Sequence, residues 1–167
     1  LLGFAGAFRR SELVSLDVND VEFSDAGMLV RLRRSKTDQE GHGRLVAIPR
    51  VRGQCCPTRK LEEWLKESGI SGGAIFRRFN RYDQLQPARL SAPSVALIVK
   101  HRTEALGLDS SQYSGHSLRA GFATNAANTG ASTASIRGQT GHKSDAMVNR
   151  YIRNSQSFTD NPIHRIW

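Results

Sequence analysis

A histidine and an arginine, His116 and Arg119, stand three positions apart at the start of a predicted helix. Gly115 and Ser117 favour a turn followed by a helix N-terminus. On the first helical turn, residues three apart can point the same way, so the imidazole and the guanidinium can both face outward. Backbone N–H groups at a helix start bind anions, and so does a guanidinium. The stretch therefore predicts an anion site at this helix start.

The composition indicates which anion to expect. The chain has 167 residues, and its 24 Lys and Arg against 15 Asp and Glu give a formal charge of +9. A balance this basic favours a polyanionic partner, most often nucleic acid, and so a phosphodiester. Charge alone leaves open a basic protein with another role, such as a ribosomal one.

Other features bear on the compartment. Cys55 and Cys56 are adjacent and lack the spacing of a zinc site or a redox pair. With no disulfide framework, we predict the reducing cytoplasm, with the protein on the nucleoid when it binds DNA. No apolar run reaches the roughly 18 to 20 residues that span a bilayer, so no membrane partner is predicted.

Hydrophobic periodicity predicts a mainly α fold with a small antiparallel β-sheet, an α+β class. Leu118, Phe122 and Ala126 form an apolar stripe expected to face the core. A polar hairpin loop carries Lys36 near its start, and the basic stretch 77–89 is expected to be a loop. A helix followed by a turn is predicted within 1–16. Further helices are predicted over 57–68, 93–107, 117–130, 132–139 and from 144, and strands over 18–23, 28–33 and 45–48.

Each candidate residue has an ordinary structural explanation when it is taken alone. His116 could be a capping or core histidine, and Tyr151 could be a core residue with a solvated hydroxyl. Lys36 could be a solvated loop residue, and Arg9 with Glu12 could form an intrahelical ion pair. The order of the candidates along the chain is more specific: Arg9, Glu12, Lys36, His116, Arg119, His142, Tyr151.

This order and the local sequence resemble the catalytic domain of the tyrosine recombinases, also called phage-type integrases. The similar segments are FRRSEL, RRSKTDQEGHGRLVAIP, GHSLRAGFAT and TGHKSDAMVNRYIR, and the last is similar to that of Cre-like members. The resemblance spans roughly residues 4 to 154, and five separated signals share one register. It implies the tyrosine recombinase catalytic-domain fold and a DNA-cleaving and DNA-rejoining activity that uses a 3′-phosphotyrosine intermediate.

The resemblance also implies roles for the matched residues. Tyr151 would be the nucleophile, and Arg9 and Arg119 would clamp the two non-bridging oxygens of the scissile phosphate. Lys36 would donate a proton to the leaving 5′ oxygen. Tyrosine has a free pKa of about 10, so its phenol needs a nearby base or a cationic environment to attack.

Three further residues would complete the site. His116 would manage the proton of the tyrosine, His142 would hydrogen-bond the phosphate, and Glu12 would orient the network. This chemistry needs no cofactor and no metal, and the acidic residues of the chain do not cluster as in a two-metal site.

Duplex DNA is the predicted partner, together with further copies of the protein in a dimer or tetramer on DNA. Basic side chains outside the site are expected to contact the DNA backbone, which positions a duplex without reading its sequence. Arg10 also stands where the family more often has an apolar residue. The predicted contact residues are Arg10, Arg33, Arg34, Arg44, Arg77, Arg78 and Arg81.

The predicted domain organisation follows from the resemblance. Residues 1–154 would be the catalytic domain, with its N-terminal part and a core-binding domain missing, since the chain lacks an initiator Met and opens inside a predicted helix. Residues 155–167 would be a C-terminal tail exchanged between protomers, with Ile163, Ile166 and Trp167 as its apolar contacts. A tail that packs in cis, or a disordered one, is the alternative.

Two other functions remain compatible with the sequence. A type IB topoisomerase shares the chemistry but relaxes supercoiled DNA. A DNA-binding module that has kept the fold without catalysis is of another class, because fold alone does not define function.

Overall fold

A computed structural model describes residues 1–33 and 43–152. This part of the chain is mostly helical with two small antiparallel sheets, which confirms the predicted α+β class. The helices are α1 (Leu2–Ala5), α2 (Arg10–Ser15), α3 (Pro57–Ser68), α4 (Ala92–Glu104), α5 (Ser117–Asn128), α6 (Thr133–Thr140) and α7 (Asp145–Ile152), with 3₁₀ turns at Val18–Asp20 and Ser110–Gln112. The strands are β1 (Val21–Ser24), β2 (Gly27–Leu32), β3 (Arg44–Pro49), β4 (Arg77–Phe79) and β5 (Leu85–Arg89).

The three-stranded sheet has the order β1-β2-β3. Met28, Val30 and Leu32 alternate with less buried residues, and all three point into the core. Val30 pairs with Val46 of β3, so the inward side chains of neighbouring strands lie opposite each other. β2 ends at Leu32 and β3 begins at Arg44, and these two residues pair at the same end of the sheet.

The structure has two hydrophobic clusters. The larger joins the sheet to α1 and α3 through residues such as Phe8, Val30 and Leu61. The smaller joins α5, α6 and α7 through the group Ala123, Ala127, Ile136 and Val148. None of the helices within residues 1–33 and 43–152 is both long and apolar enough to cross a membrane.

The apolar stripe predicted on α5 is wrong by one position. Arg119, Ala123 and Ala127 form the fully buried face, whereas Leu118 and Phe122 are half-buried. Because the two alanines are small, α5 packs closely on its neighbours, and Arg119 at the same spacing is drawn inside with them.

The helix followed by a turn that is predicted within 1–16 is instead two helices, because the chain breaks between α1 and α2. Ala7 has a left-handed backbone with φ +49°, and the Phe8 ring packs against Gly6, where a Cβ would lie 2.3 Å from Phe8 Cζ. The backbone N–H of Arg9 donates to Glu12 Oε2 at 2.9 Å, which caps the new helix start. The break exposes the carbonyl of Ala7 to a side chain from elsewhere in the fold.

The basic stretch predicted as a loop is the β4–β5 hairpin. Arg77 pairs with Arg89, and Phe79 pairs with Leu85. The side-chain oxygen of Asn80 accepts hydrogen bonds from the backbone N–H groups of Tyr82 and Gln84, at 2.9 and 3.1 Å, and this closes the turn. The periodicity of so short a basic hairpin is too weak to be detected in the sequence.

Candidate active site

Tyr151 lies on α7 with its side chain half-buried. Its hydroxyl oxygen is 3.2 Å from Nε2 of His116. Its ring stacks on His142, with ring centroids 5.8 Å apart and planes 21° apart. The phenol is therefore next to two imidazoles and is not enclosed in the hydrophobic interior.

His116 is placed by the turn that starts α5. It occupies the N-cap position, its backbone N–H donates to Ser114 Oγ at 3.2 Å, and the N–H of Ser114 donates to Ser117 Oγ at 2.9 Å. These two bonds fix the turn, while the imidazole stays exposed and reaches Tyr151. A histidine at this distance can exchange a proton with the phenol.

Arg119 does not point outward beside His116, and this part of the prediction is wrong. The residue is 1% exposed, and its Nη1 donates to the carbonyl of Ala7 at 2.8 Å. Its Nη2 is buried and has no hydrogen-bond partner among the described residues. Burial, and then the charge of Arg9, lowers the pKa of Arg119 to about 10, so the guanidinium is still charged at neutral pH.

Arg9 and Glu12 form a close pair at the start of α2. Nη1 of Arg9 donates to Oε1 of Glu12 at 2.6 Å, and the backbone N–H of Arg9 donates to Oε2 at 2.9 Å. Glu12 is 2% exposed, so its carboxylate is buried and needs these donors. Two contacts to one carboxylate fix both the backbone and the side chain of Arg9.

Arg44, predicted only as a DNA contact on the hairpin, lies within this site. Its Nη1 donates to the carbonyl of Gln139 at 2.9 Å and approaches that of Gly138 at 3.5 Å. Its Nη2 is 3.8 Å from Oε2 of Glu12. The residue was missed as a site member because sequence order does not show which strand end meets α6.

His142 is 8% exposed and follows the end of α6. Its Nδ1 is 2.9 Å from Oγ1 of Thr140, and the same hydroxyl is 2.7 Å from the carbonyl of Ile136. A hydroxyl has one proton, and a carbonyl only accepts, so the proton of Thr140 goes to Ile136. Nδ1 of His142 must then carry a hydrogen, which leaves Nε2 as the unprotonated nitrogen of the neutral ring.

The surroundings also keep His142 neutral. Burial, and then the nearby cations, lower its pKa to about 4. In order of size, these cations are Arg119, Arg9, His116 and Arg44. Because these cations all lower the pKa of His142, the electrostatic potential at its ring is positive.

Of the seven residues that the resemblance assigns to the site, the structure brings six together: Arg9, Glu12, His116, Arg119, His142 and Tyr151. Lys36, the seventh, lies outside the described residues, as does Arg34.

The predicted DNA contacts lie in different settings. Arg33 pairs with Asp20 at 2.6 Å, and Arg77 donates to the carbonyls of Ala74 and Gly72. Among the predicted contacts within the described residues, those exposed to solvent are Arg10, Arg33, Arg78 and Arg81.

On this mostly helical fold, Tyr151 therefore lies beside His116 and His142 and near the buried guanidinium of Arg119. The chain belongs to the phage integrase family, whose sequence model matches residues 1–157. It is 46% identical over 167 residues to an integrase/recombinase, a xerD homolog, of Selenomonas ruminantium. That match covers 99% of this chain and 49% of the relative, so the chain spans about half the relative's length.

Solved structures show the same fold. XerH site-specific recombinase, in a post-cleavage complex with palindromic difH substrate, matches with a TM-score of 0.72 and 18% identity, over 93% of this chain and 41% of that one. XerA recombinase matches with a TM-score of 0.67 and 19% identity, over 99% of this chain and 54% of that one.

Proposed function

We propose that this chain is the catalytic domain of a site-specific recombinase that cuts and rejoins duplex DNA through a 3′-phosphotyrosine at Tyr151. The observation that carries the proposal is the 3.2 Å approach of the Tyr151 hydroxyl to His116 Nε2, near the buried guanidinium of Arg119. Family membership supports it, and so does the chain order of the site residues.

In the cleavage step, the hydroxyl oxygen of Tyr151 attacks the phosphorus of one DNA strand. The new P–O bond forms as the bond to the 5′ oxygen breaks, so the products are a 3′-phosphotyrosine and a free 5′ hydroxyl. His116 accepts the proton of the phenol. By resemblance, Lys36 supplies a proton to the leaving oxygen, a contribution of about 10²- to 10⁴-fold for general acid catalysis.

The arginines favour the transition state over the bound substrate. Negative charge gathers on the equatorial phosphate oxygens as the tyrosine attacks, and planar, always-charged guanidiniums suit that geometry. Arg119 has a buried Nη2 that no described group satisfies, and a phosphate oxygen is the acceptor it lacks. Arg9 is fixed by Glu12 at the same site.

The linkage to tyrosine is a phosphodiester like the DNA bond it replaces. Its free energy is retained, so a 5′ hydroxyl can attack it in the reverse step without ATP. The incoming hydroxyl can come from another duplex, which allows strand exchange by a dimer or tetramer on DNA. The predicted domain extents, the tail exchange and the cytoplasmic, nucleoid-bound location are parts of this proposal.

A suicide DNA duplex tests the proposal in the intact polypeptide that contains this chain. A nick just 3′ of the scissile phosphate lets the short fragment that carries the free 5′ hydroxyl diffuse away, so the covalent adduct accumulates. We expect an adduct with the wild type and none with Tyr151→Phe, which keeps the ring stacked on His142. No adduct with the wild type would favour a binding module, and rapid relaxation of plasmids of any sequence would favour a topoisomerase.

A further inference from the structure

Arg44 touches two parts of the site that are far apart in the sequence. It begins β3, at the end of the hairpin loop. Its guanidinium donates through Nη1 to the carbonyl of Gln139 at 2.9 Å, while Nη2 lies 3.8 Å from Oε2 of Glu12. One side chain therefore connects the start of α2 to the end of α6.

The contact with α6 is at the helix end where a cation is most favourable. The last carbonyls of a helix have no partner within it and carry the negative end of the helix dipole. Arg44 meets the carbonyl groups of Gly138 and Gln139 in that last turn. Thr140 and His142 follow on either side of Gly141, and the hydrogen bond between them orients the imidazole.

Gly141 lets the guanidinium approach this closely. Its backbone is left-handed, with φ +66°, and a Cβ there would lie 2.8 Å from Nε of Arg44. Any side chain at this position would therefore have to displace Arg44 or shift the turn. The glycine ends the helix and at the same time makes room for the arginine.

The contact with Glu12 links Arg44 to Arg9, because Glu12 also binds Arg9, the arginine proposed to clamp the phosphate. Glu12 receives the side chain and the backbone N–H of Arg9 and has Arg44 beyond its Oε2. The position of this buried carboxylate depends on both guanidiniums. A displacement of one guanidinium therefore moves the carboxylate and, through it, the other guanidinium.

We propose that Arg44 is a positioning residue, whose guanidinium joins Glu12 to the last turn of α6 and so holds Arg9 and His142 in place together. Its Nε and Nη2 are buried and have no hydrogen-bond partner within residues 1–33 and 43–152. Nη1 of Arg44 is bonded to the carbonyl of Gln139 and Nη2 faces Glu12, so both terminal nitrogens are directed at protein groups, which separates this role from the DNA contact that the sequence predicts. The inference rests on the proposed function.

The test compares Arg44→Met with Arg50→Met in the intact polypeptide. Arg50 follows the other end of β3, about 20 Å away for six extended residues, and pairs with Glu62 at 2.7 Å. Both changes remove a partly buried, ion-paired arginine. Single-turnover cleavage of the suicide duplex and equilibrium DNA affinity are measured for each, below the melting temperature of both variants.

We expect Arg44→Met to slow cleavage by about 10- to 100-fold, the usual cost of removing a group that orients a site residue. DNA affinity should change less than about threefold, since no DNA contact is lost. Arg50→Met should cleave at the wild-type rate. Equal losses of affinity and cleavage in Arg44→Met would instead show a DNA contact, and equal slowing by both variants would show a general structural role. Either result overturns the inference.

Two further arms test the connection itself. Combining Arg44→Met with Glu12→Gln should slow cleavage by much less than the product of the single effects, because both remove one linked unit. Gly141→Ala should slow cleavage, whereas Gly69→Ala, at φ +64° with nothing within 4 Å, should not. The inference would be contradicted if the double variant slowed cleavage by the product of the two single effects, or if Gly141→Ala cleaved at the same rate as Gly69→Ala. If the wild type formed no covalent adduct with DNA, the proposed function would be refuted instead.

Discussion

Acidification should destabilise the domain through His142. In the folded chain the pKa of His142 is about 4, against 6.5 for an unperturbed histidine. As the pH falls, the unfolded chain therefore binds a proton at this residue before the folded chain does. The stability that depends on a neutral His142 is present above pH 6.5 and is lost as the pH falls towards 4. The difference corresponds to about 3 kcal/mol of unfolding free energy. Such a loss is a large share of the stability of a typical domain.

Urea unfolding at about pH 7 and about pH 4.5 measures this loss. The wild type should lose about 2 to 3 kcal/mol more between the two conditions than His142→Gln, which has no proton to bind. The titration of the His142 ring, followed by NMR without denaturant, gives the pKa directly. A midpoint near 6.5, or the same loss of stability in both proteins, would refute the reasoning that burial and the cationic field hold this ring neutral.

Three more results are expected. Thr140→Val should cost about 1 to 3 kcal/mol of unfolding free energy, because Nδ1–H of His142 loses its acceptor, and ¹⁵N NMR should show a changed tautomer balance. Arg119→Lys should slow single-turnover cleavage by about 10²- to 10³-fold, since an ammonium cannot bond the Ala7 carbonyl and clamp a phosphate with a planar fork; an unchanged rate would contradict the role. DNA affinity of the intact polypeptide should fall linearly with salt on a double-logarithmic plot, and a flat dependence would exclude backbone contacts as its source.

Elements with a strong local signal were predictable from the sequence. The alternation of Met28, Val30 and Leu32 predicts β2 and its buried face. Gly69 and Gly141 both have left-handed backbones and end their helices, as glycines after an apolar pattern are expected to do. In these cases the residue's own conformational preference decides the structure, so neighbours in sequence are sufficient.

What depends on distant contacts could not be predicted. Arg119 was expected to face outward, but its buried position is set by the Ala7 carbonyl, 112 positions earlier. The left-handed Ala7 itself has no sequence signal, since the conformation is unfavourable for alanine. For Arg44 a signal existed: strand alternation puts it on the same face as Val46 and Ile48, which are buried. A charged residue on that face predicts a buried partner, but not which one.

Two kinds of observation indicate that positive charge exceeds negative charge among the described residues of the site. Glu12 is the carboxylate that meets both Arg9 and Arg44. The pKa of Arg44 is lowered, that of Arg119 is lowered to about 10 and that of His142 to about 4, and in each case burial is the largest cause and a neighbouring cation contributes. An anion placed among these groups raises all three pKa values, so binding a phosphate and stabilising the folded domain are coupled. In the proposed reaction, the greater charge on the phosphate oxygens in the transition state would strengthen this coupling, so the repulsion among the cations would become selective stabilisation of the reacting phosphate.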